Sequence, residues 1–342
     1  MTEWLRFLAN RDGRIENGHL LGFAEQNNEI HSAQSTTILT ALTAFSVIEF
    51  AGPEAHTFLQ GQLSSDIRDL SSQQAQLSSY STPKGRMLAT FLGWNPAPET
   101  YRLMLSGDLM APILKRLSMF ILRAKVKPSA REDIVLLGVA GPEAQTLLDV
   151  SIGLCPENDF SALHQEDTSV IRLPGNRFMI AAPVEAAKTL WDVLASGAKE
   201  VGEAAWKSLD ISTGIPWVTA ATQEMFVPQM VNLELIGGGV SFQKGCYPGQ
   251  EIVARTQFIG KVKRRMFRVH CQAENVSAGM PLFGPETGEQ VIGNIVQAIP
   301  TGEGQWSALA VMQTAQTALG VHLGAVDGPK LELDILPYSL PQ

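Results

Sequence analysis

The sequence predicts an α+β protein with an internally duplicated, ferredoxin-like body and a C-terminal region of antiparallel strands. Three observations support this prediction. A strand–turn–helix segment occurs twice, and a second strand–helix pair follows each copy in the same order. The last part of the chain is rich in short β-prone runs separated by glycine and proline.

The repeated segment is the clearest sign of duplication. Residues 51–59 read AGPEAHTFL and residues 140–148 read AGPEAQTLL. Each copy follows a short apolar, β-prone run and places Pro and then Glu at the start of an expected helix. A missing N–H costs little at that position, and an acid suits the helix dipole. The sequence therefore predicts a strand, a tight turn and a helix at both places.

A second landmark follows each copy. Apolar runs at 101–105 and 177–180 each precede an expected helix, the first through 115–117 and the second through 190–191. Each half therefore reads strand–helix–strands–strand–helix, which suits a ferredoxin-like unit. The alternative is coincidence, because Gly-Pro-Glu-Ala is a common helix opening. The recurrence of two landmarks in the same order favours a true duplication.

The remaining segments complete the expected domain organisation. The N-terminal extension contains an amphipathic stretch that we expect to pack as an accessory helix through Trp4, Leu5, Phe7 and Leu8. The region after 264 predicts a small antiparallel barrel or sandwich. The expected domains are a first half with its extension at 1–130, a second half at 131–204, a connector at 205–263 and a C-terminal β-domain at 264–342.

Composition and charge exclude several classes of protein. The chain has 342 residues, of which 45% are hydrophobic and 18% charged, so it can bury a sizeable globular core. Its net charge of −8 does not favour nonspecific binding to nucleic acid. The longest mostly apolar run, at 38–48, is too short to span a membrane. We expect no membrane partner.

Cysteine usage indicates a reducing compartment. The three cysteines, Cys155, Cys246 and Cys271, are odd in number and widely spaced, which argues against a disulfide framework. There is no CxxC pair and no tight His/Cys cluster, so we expect no metal site. The N-terminus does not read as a signal peptide. The sequence therefore predicts a cytoplasmic protein.

The segment 244–251, KGCYPGQE, is the strongest candidate site. It places a thiol, a lysine, an aromatic ring and a carboxylate between two glycines and a proline. Glycine lets a backbone approach a ligand closely, and a neighbouring cation favours thiolate over thiol. Polar chemistry crowded on an expected loop indicates function more than packing.

This octapeptide, continuing into IVART at 252–256, resembles the signature of the YgfZ-like folate-binding proteins. That family is related to the glycine-cleavage T-protein, an aminomethyltransferase. Further stretches agree with the resemblance, which covers roughly residues 40–320: FLQGQLSSDI at 58–67, PKGRML at 83–88, GIP at 214–216 and FVPQMVNL at 226–233.

The resemblance implies both a fold and a role. The fold would be two ferredoxin-like halves around a central channel plus a C-terminal antiparallel β-barrel. The channel would hold tetrahydrofolate or a one-carbon derivative of it. The role would be to support the assembly or repair of iron–sulfur enzymes, including those that modify tRNA. Expected partners are therefore folate and iron–sulfur client or assembly proteins, with direct nucleic-acid contact not expected.

The resemblance to the T-protein breaks at two acidic positions. The stretch matching 84–91 carries a pair of acidic residues in aminomethyltransferases, whereas this chain has Ala89 and Thr90 there. Neither can accept or orient a proton as a carboxylate does. A folate-side glutamate is likewise replaced by Ser212. We therefore expect folate binding without aminomethyl transfer.

Two residues are the candidates for chemistry. Cys246 is interpreted as a reactive or ligand-binding thiol, against the alternative of a small buried hydrophobe. Lys244 is interpreted as its neighbouring cation or as a contact to folate, against the alternative of a solvated surface charge. Cys155 and Cys271 are expected to be structural.

Five further residues are candidates for cofactor binding. The ring of Tyr247 would stack on a pterin or pack in the core. Gln250 and Glu251 would be buried hydrogen-bond partners or would brace the loop. Arg86 would bind a carboxylate or cap a hairpin. Arg255 would bind the cofactor or pair with Glu251 on one helix face.

The sequence leaves two other functions open. One alternative is a tetrahydrofolate-dependent aminomethyltransferase or demethylase, and another is a protein–protein scaffold. The basic run at 261–265 is interpreted as a solvated face more readily than as a contact for RNA.

Overall fold

The computed structural model describes residues 1–258 and 262–341. It divides the chain into two compact units. Unit 1 contains Met1–Leu59, Ile67–Gln76 and Leu92–Leu209, and unit 2 contains Gln60–Asp66, Leu77–Phe91 and Asp210–Gln342. The four-part division expected from the sequence stays a prediction. Part of its connector, and Lys261 of the basic run, lie outside the described residues.

Eight helices and nineteen strands are found in the described part of the chain. The helices are α1 (Glu3–Ala9), α2 (Gln26–Ser35), α3 (Ala55–Gln60), α4 (Met110–Ser118), α5 (Ala144–Ile152), α6 (Val184–Leu194), α7 (Glu203–Thr213) and α8 (Gln250–Phe258). The strands are β1 (Arg14–Glu16), β2 (His19–Gly22), β3 (Ile38–Ala41), β4 (Phe45–Ala51), β5 (Ala75–Ser81), β6 (Met87–Ala97), β7 (Thr100–Ser106), β8 (Lys127–Ala130), β9 (Ile134–Ala140), β10 (Ala162–Gln165), β11 (Thr168–Leu173), β12 (Arg177–Pro183), β13 (Lys199–Glu200), β14 (Arg264–Gln272), β15 (Pro281–Phe283), β16 (Val291–Gly302), β17 (Gln305–Gln313), β18 (Val321–Leu323) and β19 (Lys330–Asp334).

The two halves repeat the same chain order. One half runs β4, α3, β5, β6, β7, α4, β8, and the other runs β9, α5, β10, β11, β12, α6, β13. Their sheets have the strand orders β5-β6-β7-β4-β8 and β10-β11-β12-β9-β3-β13. Apart from the inserted β3, each strand of one half occupies the same position in its sheet as the corresponding strand of the other half. The predicted internal duplication is confirmed.

The inserted strand β3 is one feature that the sequence did not predict. Ile38 pairs antiparallel with Ala140 of β9 and parallel with Lys199 of β13. All four residues of β3 are buried. A strand buried on both faces reads as a continuous apolar run without alternation, so the sequence could not place it in a particular sheet.

The predicted accessory helix is α1. Thr2 caps it, because the Thr2 hydroxyl accepts a hydrogen bond from the Leu5 amide at 3.3 Å. Leu5 and Leu8 are buried, and the ring of Trp4 packs edge-on against Trp191 at 5.6 Å between centroids. The helix therefore extends the apolar core of unit 1.

Unit 2 contains a closed barrel with the strand order β14-β17-β16-β15-β18-β19. Neighbouring strands pair antiparallel around the whole circuit. The β-prone runs at 266–269, 291–298, 308–312 and 331–335 lie in or overlap β14, β16, β17 and β19. The short strands β15 and β18 complete the closure, so the barrel is confirmed over the sandwich.

Candidate functional site

The octapeptide 244–251 forms a loop that enters helix α8 within unit 2. The Gln250 amide donates to the Tyr247 carbonyl at 3.2 Å, and the Val253 amide donates to the Gly249 carbonyl at 3.2 Å. Gln229 braces the helix from the side, because its Nε2 donates to the Val253 carbonyl at 2.7 Å. The loop therefore leaves a turn and continues directly into a supported helix.

Two glycines allow this loop to pack against the turn that joins β5 to β6. A Cβ added at Gly249 would lie 2.6 Å from the Thr82 carbonyl oxygen and 2.7 Å from the Gly85 Cα. Both glycines have positive φ, +84° for Gly249 and +72° for Gly85. Glycine is the residue that adopts such a conformation without strain. Two separate motifs of the sequence thus meet backbone to backbone.

Lys244 is buried and directed into a neighbouring loop of the same unit. Its Nζ donates to the Leu63 carbonyl at 2.6 Å and to the Ser65 carbonyl at 2.7 Å. The Nζ also lies 5.1 Å from the centroid of the Tyr247 ring, which is a cation–π distance. These contacts fix the ammonium group and the ring relative to each other.

The loop that receives Lys244 is itself held by the backbone around it. The Ser64 amide donates to the Ser79 carbonyl at 2.9 Å, and the Ser241 amide donates to the Ser64 carbonyl at 2.9 Å. The Ser64 hydroxyl donates to the Gly239 carbonyl at 2.6 Å. Lys244 therefore anchors the octapeptide to a rigid receptor.

Tyr247 carries a buried hydroxyl that has no hydrogen-bond partner among the described residues. Burial raises the pKa of Tyr247 to about 12, so the phenol is protonated and can donate. The Gln62 Oε1 is likewise buried without a partner in the described part of the chain. Buried polar atoms in folded proteins nearly always have a partner. The Tyr247 hydroxyl and the Gln62 Oε1 can therefore each form a hydrogen bond with a ligand or with water.

Cys246 is exposed, as a reactive thiol requires. A Cβ added at the preceding Gly245 would have no neighbour within 4 Å, so the space beside the thiol is open. Cys155 is partly buried and Cys271 is buried. Burial raises the pKa of both thiols, and the charge of Asp149 adds to the effect at Cys155. Cys246 is thus the accessible thiol of the three.

The remaining predicted residues flank this loop. Gln250 is half-buried, whereas Glu251 and Arg255 are exposed on α8, so the expectation of a buried Glu251 is wrong. Within residues 1–258 and 262–341, no ion pair joins Glu251 to Arg255. Arg86 is half-buried, and its Nη1 donates to the Met225 carbonyl at 2.6 Å.

The positions that carry acids in aminomethyltransferases have none here. Ala89 and Thr90 are buried on β6, and the Thr90 hydroxyl accepts a hydrogen bond from the Val218 amide at 2.9 Å. The Ser212 carbonyl accepts from Arg268 at 3.2 Å. A buried acid does lie close to Ser212 in the chain, since Asp210 accepts from the Trp217 indole at 3.1 Å. That hydrogen bond joins the Asp210 carboxylate to Trp217 within unit 2.

Sequence reasoning missed Gln62 and Asp210. The signal for Gln62 is its place inside the QGQLSSD stretch at 60–66, which is part of the family resemblance. The signal for Asp210 is its place two residues before Ser212, the position that matches the folate-side glutamate of aminomethyltransferases. Across the described residues, no group of three or more His, Cys, Asp or Glu side chains is placed to hold a metal ion. In the same residues, no helix has the length and apolar character needed to cross a membrane.

Comparisons with known proteins give a consistent result. No family model matches the chain. A tRNA-modifying protein YgfZ of Klebsiella pneumoniae is 30% identical over 324 residues, covering 90% of this chain and 95% of that protein. The protein of the same name from Cronobacter sakazakii is 29% identical over 334 residues, covering 91% of this chain and 96% of its own length.

A solved structure shows the same fold. The glycine cleavage system aminomethyltransferase T from Bartonella henselae matches with a TM-score of 0.81 and 20% sequence identity. The match covers 98% of this chain and 97% of that one. The architecture of the described chain is therefore that of the aminomethyltransferase, including the barrel.

Proposed function

Because this chain belongs to the YgfZ family of tRNA-modifying proteins, we propose that it is a tetrahydrofolate-binding auxiliary protein. In this proposal it supports the assembly or repair of iron–sulfur enzymes, including those that modify tRNA. The bound cofactor is tetrahydrofolate or a one-carbon derivative of it. The site consists of Cys246 and Lys244 for chemistry, with cofactor contacts from the set Arg86, Tyr247, Gln250, Glu251 and Arg255.

The observation that carries the proposal is the unpartnered, buried hydroxyl of Tyr247 beside an exposed thiol. A pterin presents amide and amine groups along its edge and a flat face, which match a phenol donor and an aromatic ring. The Gln62 Oε1 supplies a buried acceptor, which an N–H group of the pterin would satisfy. When bound, tetrahydrofolate would supply a carrier for one-carbon units.

The thiol gives the proposal its link to iron–sulfur chemistry. Cys246 is exposed on a loop that Lys244 holds in place, so a partner protein can reach it. One thiol offers at most one ligand to a cluster, and a stable cluster would need ligands from the client or assembly protein. The protein would then act in a complex with the client or assembly protein, and Cys246 would be its one ligand to the cluster.

The proposal also includes a cytoplasmic location. None of the three cysteines is in a disulfide. Free thiols persist in a reducing compartment. In this proposal the iron–sulfur enzymes that modify tRNA are in the same compartment. Fractionation of cells that express the protein is the measurement that tests this location.

A second candidate is a tetrahydrofolate-dependent aminomethyltransferase or demethylase, which the shared fold favours. Ala89 and Thr90 argue against it, because the Thr90 hydroxyl is engaged with a backbone amide and neither side chain is a carboxylate. Formation of methylenetetrahydrofolate from a methylamine donor by the purified protein would favour this second candidate over the first.

The proposed cofactor is tested by thermal unfolding with reduced tetrahydrofolate. A ligand at 100 times its Kd stabilises the native state by about 2.7 kcal/mol, which for a chain of this size raises the Tm by about 4 °C. We expect Tyr247→Phe to weaken binding by about fivefold, because one hydrogen bond is lost. Tyr338→Phe is the control, since that hydroxyl is already bonded to the Gly214 carbonyl. No shift at saturating ligand would reject folate binding.

The proposed role is tested by complementation. In a strain that lacks the protein, Cys246→Ala is expected to leave the activity of an iron–sulfur tRNA-modifying enzyme uncorrected, while Cys155→Ala corrects it. Western blotting at equal expression excludes an effect of protein level. Full correction by Cys246→Ala would remove the thiol from the proposed role.

A further inference from the structure

A cavity of about 630 Å³ lies in unit 2 beside the β5–β6 turn and helix α8. Four cationic side chains line it: Lys84, Arg86, Lys263 and Arg264. No acidic side chain is among its described lining residues. This concentration of positive charge contrasts with the net charge of −8 for the whole chain.

The positive charges of this basic cavity are not neutralised within the described residues. The Arg86 guanidinium donates to the Met225 carbonyl at 2.6 Å, and Arg264 donates to the Val291 carbonyl at 3.2 Å. A carbonyl satisfies a donor without cancelling its charge. Burial and the nearby charge of Arg86 both lower the pKa of Arg264. The two arginines therefore repel each other, and a bound anion would offset this repulsion.

The rest of the described cavity lining is uncharged and combines four apolar side chains with two neutral polar ones, Thr256 and Gln313. Val227, Met230 and Ile252 line the cavity together with the cations. No aromatic side chain is among the described lining residues, so the cavity offers no platform on which a nucleic-acid base could stack. A surface that offers both apolar and cationic side chains suits a flexible chain in which carboxylates are separated by short aliphatic spacers.

The basic cavity adjoins the octapeptide. The turn that carries Lys84 and Arg86 packs against Gly249, and a Cβ added at Gly85 would lie 3.0 Å from the Ile252 Cβ. Ile252 lies on the first turns of α8 and also lines the cavity. A ligand held by the octapeptide therefore has a short path to the four cations.

We propose that the basic cavity binds the oligo-γ-glutamyl chain of a polyglutamylated folate, with its carboxylates on Lys84, Arg86, Lys263 and Arg264. The aliphatic carbons of the chain pack on Val227, Met230 and Ile252. This inference rests on the proposed binding of tetrahydrofolate. It adds that the protein distinguishes folates by the length of the glutamate chain.

The test is a calorimetric comparison of tetrahydrofolate monoglutamate with tetrahydrofolate pentaglutamate. For the unaltered protein we expect the pentaglutamate to bind about tenfold more tightly, because several partly exposed ion pairs together contribute about 1.4 kcal/mol. Lys84→Gln/Lys263→Gln is expected to bind the monoglutamate normally and to lose most of that gain. Lys127→Gln/Lys330→Gln, which has the same charge change at exposed lysines outside the cavity lining, keeps it. The gain falls with added salt.

The other possible results distinguish failure of this inference from failure of the proposed function. Equal affinity for the two folates would overturn the inference and leave folate binding intact. If neither folate binds, the proposed function fails, and a free γ-glutamyl pentapeptide then tests the cavity alone. Binding of that peptide, lost in Lys84→Gln/Lys263→Gln, supports an oligocarboxylate site, and no binding overturns it. If Lys84→Gln/Lys263→Gln loses binding to a short single-stranded RNA but still binds the pentaglutamate more tightly than the monoglutamate, the cavity binds nucleic acid and the inference is wrong.

Discussion

Gly249 and Gly85 lie so close that a Cβ on the first would be 2.7 Å from the Cα of the second. The neighbouring atoms are backbone, so they cannot rotate away as a flexible side chain would. This contact joins the octapeptide to the turn that carries Arg86. It places two segments that are far apart in the sequence in one site.

Gly249→Ala is therefore expected to destabilise the protein strongly. The added methyl group meets the Thr82 carbonyl oxygen at 2.6 Å in a backbone with φ of +84°. We expect a loss of about 3 kcal/mol in the free energy of unfolding, measured by urea denaturation. Gly245→Ala is the matched control, since its Cβ meets open space, and a loss of about 1 kcal/mol or less is expected there. Equal losses in the two variants would contradict the close contact.

Lys244→Met is expected to destabilise unit 2. The substitution keeps the length of the side chain but leaves the Leu63 and Ser65 carbonyls without their ammonium donor. Leaving buried acceptors unpaired costs about 2–3 kcal/mol. The measurement is the free energy of unfolding, with the exposed Lys84→Met as control. A stability equal to that of the control would contradict the anchoring role of Lys244.

Cys246 is expected to react first with a thiol reagent. In the native protein at mildly alkaline pH, 5,5′-dithiobis(2-nitrobenzoic acid) is expected to label one thiol at least about tenfold faster than the other two. Burial and the raised pKa of Cys155 and Cys271 slow those two thiols. Cys246→Ala removes the fast phase, whereas Cys155→Ala keeps it. A fast phase that persists in Cys246→Ala would place the reactive thiol elsewhere.

Asp334 is expected to contribute to stability only above strongly acidic pH. Burial acts to raise its pKa, but hydrogen bonds from His270 and Arg268 outweigh burial and hold the pKa at about 2, below the usual 3.8. A carboxyl group whose folded pKa is depressed stabilises the native state above its unfolded pKa. That stabilisation is lost as the pH falls from about 4 to about 2.

Asp334→Asn tests this pH dependence. The variant is expected to lose about 1 kcal/mol at neutral pH, less than the full shift would give because the side chain is partly exposed. Below about pH 2 its stability is expected to approach that of the unaltered protein. Glu332→Gln on the same strand gives the control for the change in charge. A loss that is independent of pH would contradict the pKa assignment.

The sequence predicted the features that depend on local pattern. The strands β4, β7, β9 and β12 follow from short apolar runs, and the expected helices through 115–117 and 190–191 correspond to α4 and α6. The repeated AGPEA segment predicted two turns of the same kind, although the helices α3 and α5 begin just after the Glu. The octapeptide was recognised because its mixture of residues does not suit a core.

The sequence could not predict contacts between distant segments. Nothing local indicates that Lys244 reaches the carbonyls of Leu63 and Ser65, or that Gly249 meets Thr82. The opposite burial of the neighbours Cys246 and Tyr247 is likewise set by tertiary packing. The basic cavity combines the β5–β6 turn with β14, so its charge appears in the sequence as two unrelated basic stretches.

The span from Lys244 to Gly249 is tied down at both of its ends, by the ammonium on one side and by the glycine contact on the other. The loop that carries the Cys246 sulfur is therefore held in one position. An incoming molecule meets the sulfur without a prior rearrangement of the loop. The loop loses its conformational entropy when the chain folds and not when a molecule binds. Loosening either tether would slow chemistry at the sulfur without altering the sulfur itself.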